Sequence, residues 1–160
     1  MGINMKCAQY LDNSSVILNL RGRTHGEVIA ELVDTICQGN NGDRARILES
    51  IYTVEDIKNT AVGRGAAIPH GSTDAIPHLK LAFGRSERGV NWGSPDGDLV
   101  KMVWLIVNPK HQPEEYLNVL SQVTKISCRR DCREAIMLAK DPSEIISIVK
   151  ECKNRERARD

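Results

Sequence analysis

LVKMVWLIVNP, residues Leu99–Pro109, decides the fold. A strand with one wet face alternates apolar with polar side chains, whereas from Met102 to Val107 this stretch is apolar without a break. Val, Ile and Trp also favour extended backbone. The segment therefore predicts a central strand covered on both faces, ended by Asn108-Pro109, and a fold with layers above and below a sheet.

Upstream, HLKLAFGRS (His78–Ser86) alternates Leu79, Leu81 and Phe83 against His78, Lys80 and Ala82, the pattern of a half-buried strand. ERGVNWGSPDGD (Glu87–Asp98) is rich in turn residues and reads as loop. SVILNLRG (Ser15–Gly22) predicts a short strand ended by glycine. Thr24-x-x-Glu27 is a capping-box pattern, and Val28, Ile29, Leu32, Val33 and Ile36 then recur at helical spacing up to a stop at Gly39. A second helix is expected from about Asp43, with Ile47, Leu48 and Ile51 inward, fading near Thr53. Downstream, Pro113 opens a helix with Glu114 and Glu115 in its first turn and Leu117, Leu120, Val123 and Thr124 along one side. RRDCREAIMLAK and DPSEIISIVKEC predict two more, the latter capped by Asp141. These elements specify an α/β domain, a three-layer sandwich in which a small mixed sheet carries helices on both faces. The chain of 160 residues suits one core. That core is expected within residues 1–152, with KNRERARD (153–160) as a solvated charged tail.

Composition narrows the function. A net charge of +1 creates no broad field for nucleic acid or an anionic membrane. No apolar run reaches the roughly 20 residues that span a bilayer, and MGINMKCAQY lacks a signal peptide's apolar stretch. A soluble, cytoplasmic protein without membrane insertion is expected. Five cysteines, Cys7, Cys37, Cys128, Cys132 and Cys152, are odd in number and form no C-x-x-C pair. They read as reduced thiols rather than a disulfide framework or zinc site, with Cys37 and Cys152 on apolar stripes. The phosphate-loop, dinucleotide and nucleophile-elbow signatures do not occur, so neither nucleotide binding nor serine-hydrolase chemistry is expected.

Chemistry-bearing residues gather in AAIPHGSTDAIPH (Ala66–His78), which presents Ala-Ile-Pro-His twice. His78 runs on into Leu-Lys-Leu and reads as a strand-edge histidine. His70 lies between Pro69, which fixes the backbone approach, and Gly71, which is free to take φ > 0. Gly63, Gly65, Gly71, Ser72 and Thr73 leave room for a tetrahedral anion and offer amides and hydroxyls to it. His70 is therefore the candidate reactive group.

The stretch G-x-G-x-A-I-P-H-G, a Ser/Thr-Asp step, Leu-Ala-Phe-Gly-Arg, Gly-Val-x-Trp-Gly, Asp-Gly and the apolar strand ending in proline together resemble a known signature. It is that of the enzyme IIA domains of the fructose/mannitol class (type 2) in the bacterial phosphoenolpyruvate-dependent phosphotransferase system, nitrogen-regulatory relatives included. The resemblance implies that His70 accepts a phosphoryl group from an HPr-type phosphocarrier and passes it to a IIB component, with no cofactor and no metal. An imidazole suits this, since it is available as a neutral nucleophile near pH 7 and its phosphoramidate is labile.

The family pattern also implies an arginine where Val54 stands and a histidine where Tyr116 stands. Arg64 is the candidate substitute cation, ahead of Lys58, Arg85 and His111, and Tyr116 a hydrogen-bond donor to the phosphoryl group. The alternative reading is a non-catalytic IIA-like regulator that binds a target protein through the same surface.

Overall fold

The computed structural model describes residues 6–37 and 41–157. Its core element is β6 (Val100–Pro109), which pairs antiparallel with β5 (Lys80–Val90) from Lys80↔Val107 to Val90↔Val100. β1 (Val16–Ile17) runs parallel to β5, and on the other side of β6 come β3 (Ala66–Ala67) and β2 (Ala61–Gly63), giving the order β1-β5-β6-β3-β2. β4 (His70–Thr73) pairs with β6 further along the same edge as β3.

The apolar run of β6 divides between two cores. Met102, Trp104 and Ile106 join Leu79, Leu81 and Phe83 on the face covered by α3 (Pro113–Cys128), α4 (Arg130–Leu138) and α5 (Pro142–Arg157). Val103, Leu105 and Val107 join Ala82 on the face covered by α1 (His25–Cys37) and α2 (Asn41–Ile57). The expected three-layer α/β sandwich is thus formed. β5 is covered on both faces rather than half-buried, because Ala82 packs beneath α1 and α2.

Several boundaries differ from the sequence expectations. α2 runs past Thr53 to Ile57, closing with Lys58 N–H donating to the Val54 carbonyl at 2.8 Å, so Val54 is helical. β5 takes in Glu87–Val90, where turn residues serve an irregularity in the ladder with Gly89 at φ 85°. The first strand is only Val16–Ile17. α3 is rotated from its expected stripe. Leu117 is 60 % exposed, while Val119, Gln122, Val123 and Ile126 face inward. Gln122 is held there because its Oε1 accepts the Cys7 N–H at 2.8 Å. Both predicted caps are present: Thr24 Oγ1 accepts from Glu27 N–H at 3.1 Å and Asp141 Oδ1 from Glu144 N–H at 2.9 Å.

The cysteine reading needs correction. Cys132 on α4 and Cys152 on α5 form a disulfide within the core, while Cys7, Cys37 and Cys128 are free. Their separation of 20 residues gave no pairing signal, since only the packing of α4 on α5 brings them together. The helical backbone enters the charged tail as far as Arg157. The tail's side chains and Gly39 lie outside the described residues.

Candidate functional site

The segment Ala66–Thr73 rides along one edge of β6. β3 pairs at Met102–Val103, the Ile106 N–H reaches the Pro69 carbonyl at 3.0 Å, and β4 then pairs from Ile106 to Pro109. His70 opens β4, where α2 crosses over the strand. The crossing requires Gly71, because a Cβ there would lie 2.8 Å from Ser50 C and 2.9 Å from Ile51 N. Gly71 is not among the residues with positive φ, so the glycine serves close approach and not the backbone conformation expected from sequence.

Beside this crossing is an open hollow of about 640 Å³. α2 contributes Arg46, Glu49, Ser50, Thr53 and Val54. His70, Gly71, Ser72, Thr73 and Asp74 line it from β4 and the residue that follows, and Lys110 and Tyr116 complete the lining. His70 is half-buried, and its Nδ1 lies 2.8 Å from the Ile68 carbonyl oxygen. A carbonyl only accepts, so Nδ1 carries the proton and donates, which leaves the Nε2 lone pair free. The Tyr116 ring lies 5.5 Å from the imidazole, centroid to centroid, tilted by 39°. Burial raises the pKa of Tyr116 above the ordinary phenol value, so it remains a donor at neutral pH. An imidazole held in one tautomer beside an open polar hollow is equipped to act as a nucleophile.

Of the residues singled out from sequence, His70, Tyr116, Gly71, Ser72, Thr73 and Val54 meet at this hollow. Arg64, Gly63 and Gly65 do not. They form the β2–β3 turn next to Ala66, whose partner is Met102, whereas His70 is opposite Ile106. Four residues of strand separate the two pairings, roughly 13 Å. Arg64 sits at φ 57° with its N–H donated to Asp96 Oδ2 at 2.7 Å and its Nη1 to the Cys128 carbonyl at 2.9 Å. It is a turn residue there and is not among the residues that line the His70 hollow. Arg85 is likewise committed elsewhere, to the carbonyls of Leu18, Ile136, Met137 and Ala139. His78 is exposed and, with His111, lines a separate hollow.

Two cations in the hollow were not anticipated, Arg46 and Lys110. Arg46 stands eight residues before Val54, two helical turns back on the same face, a spacing readable only once α2 is known to continue through Val54. Among the described residues no cluster of three His, Cys, Asp or Glu side chains suits a metal ion, and no helix is long and apolar enough to cross a membrane.

Residues 9–152 match the family described as "Phosphoenolpyruvate-dependent sugar phosphotransferase system, EIIA 2". The chain is 30 % identical over 146 residues to the fructose-specific EIIABC component of Bacillus subtilis, covering 91 % of this chain but only 23 % of that protein. It is 29 % identical over 113 residues to the fructose-specific EIIA component of Haloferax volcanii, covering 71 % of this chain and 73 % of that protein. The fold resembles the nitrogen regulatory protein IIA-Ntr of Neisseria meningitidis at TM-score 0.83 and 24 % identity, over 89 % of this chain and 97 % of that one. It also resembles Escherichia coli IIA mannitol in its complex with phosphorylated IIB mannitol, at TM-score 0.74 and 18 % identity, over 87 % of this chain and 96 % of that one.

Proposed function

The chain belongs to the EIIA 2 family of the phosphoenolpyruvate-dependent sugar phosphotransferase system, and on that premise we propose that His70 accepts and surrenders a phosphoryl group through Nε2. The donor is a phosphohistidine on an HPr-type phosphocarrier, and the acceptor is a IIB component. The Nε2 lone pair forms the new N–P bond while the donor's N–P bond breaks and returns its electron pair to the donor ring. Positive charge that develops on the His70 ring is held by the Nδ1–H contact to the Ile68 carbonyl. No covalent chemistry beyond this is asked of the protein, and its work is positioning and charge stabilisation. The cytoplasm, where such carriers act, is the location this implies.

The observation that carries the reading is the Nδ1 to Ile68 contact of 2.8 Å, which leaves Nε2 as the unprotonated nitrogen of a histidine that lines the hollow. Incubation with phosphoenolpyruvate, enzyme I and a phosphocarrier should add one acid-labile phosphoryl group, absent in His70→Ala. Failure of the wild-type chain to take the label would remove the reading.

A second reading is favoured by Val54, an uncharged side chain in the wall of the hollow. In it the chain is a regulator that binds a target protein without transferring phosphate. Full binding and cellular effect in His70→Ala would select it.

A further inference from the structure

We infer that the positive charge which the family pattern puts at position 54 is supplied in this chain by Arg46 and Lys110, which line the same hollow as Val54 and His70. The inference rests on the reading of His70 as phosphoryl acceptor and names the residues that make that acceptor work.

Ser50 marks the crossing, where it meets Gly71. Val54 lies one turn beyond Ser50 and Arg46 one turn before it, so both flank the crossing on the side that lines the hollow. A phosphoryl group brings nearly two negative charges, and Glu49 and Asp74 already place carboxylates in the same walls. Cationic compensation is therefore required. Among the described residues Arg46 enters no ion pair or hydrogen bond, in contrast to Arg44, Arg64 and Arg85. Its planar fork is free to take two phosphoryl oxygens. Lys110 Nζ lies 4.0 Å from Asp74 Oδ2, with both side chains more than 60 % exposed. Such a pair is weak, so the lysine can exchange its partner for the phosphoryl group when that arrives.

The test measures the rate of His70 labelling from two donors, the phosphocarrier relay and the small donor phosphoramidate, which needs no protein docking. Arg46→Ala and Lys110→Ala should each slow labelling by both donors, Arg46→Ala by about tenfold or more, since a phosphoryl-contacting arginine is a large term in such reactions. Val54→Arg introduced into Arg46→Ala should recover most of the loss. Asp74→Asn should speed labelling about twofold by freeing Lys110, a gain that no loss of fold produces. Arg46 and Lys110 are exposed, and circular dichroism of each variant checks that the fold is intact. Unchanged rates in both alanine variants, or a loss seen only with the phosphocarrier, would overturn the inference while leaving His70 as acceptor. A wild-type chain labelled by neither donor overturns the acceptor reading and this inference with it.

Discussion

A Cβ built on Gly71 would collide with Ser50 Oγ, and the α2 backbone at Ser50 and Ile51 stands within 3 Å of the same point. Strand and helix therefore touch backbone to backbone one residue from His70. Because main chain cannot step aside as a flexible side chain can, Gly71→Ala should cost about 1–3 kcal/mol through overpacking. The loss is read as a fall in urea midpoint. It should also lower the rate of His70 labelling, since α2 carries one wall of the hollow. An alanine variant of wild-type stability would show that α2 is not seated on β4 in this way.

Tyr116→Phe tests the hydroxyl apart from the ring. The ring packs against the core and the imidazole, so stability should stay within about 1 kcal/mol. The rate of His70 phosphorylation should fall several-fold with one donor removed. Burial raises the pKa of this phenol, so its donor remains in place as pH rises through neutrality and the wild-type rate should show no inflection from Tyr116 below pH 10. Equal rates in the two proteins would leave Tyr116 as packing only.

Asp96 holds the β2–β3 turn. The backbone N–H of Arg64, then that of Asp98 and the Ser94 hydroxyl, pull its pKa from 3.8 down to about 2. The folded value lies below the unfolded one, so the stabilisation is complete above pH 3.8 and is lost as pH falls toward 2. Urea midpoints of wild type and Asp96→Asn should differ at pH 6 and converge across that acid window. A constant difference would contradict the assignment.

Arg85 joins β1, β5 and the end of α4 by donating to the Leu18, Ile136, Met137 and Ala139 carbonyls. Those carbonyls include the last turn of α4 and its cap, where a cation is favoured. Arg85→Ala should cost about 2–4 kcal/mol, and Arg85→Lys should recover little because an ammonium cannot reproduce the planar fork. His70 labelling should persist in both variants while they remain folded. A selective loss of labelling would return Arg85 to the site.

How far the sequence carries can be judged from these residues. The uninterrupted apolar run in β6 announces a strand covered twice, and periodicity in α1 announces its buried face, because burial writes itself into local spacing. The Ile-Pro-His-Gly segment likewise announces its histidine. Arg64 misled because proximity in sequence to His70 is not proximity along a strand, where four residues carry the chain about 13 Å. Arg46 carries no local signal for the converse reason, lying 24 positions from His70 in sequence but in the lining of the same hollow. Tertiary placement also decides Gln122, a polar residue buried by one backbone partner, and the Cys132–Cys152 bridge. None of these leaves a periodic trace.

The most direct measurement is long-range proton–nitrogen NMR of the phosphorylated, ¹⁵N-labelled protein, which distinguishes the two ring nitrogens of a phosphohistidine. Phosphorus on Nε2 of His70, with Nδ1 still bearing its proton toward Ile68, is the predicted result. Phosphorus on Nδ1, on another residue, or on none would contradict the account.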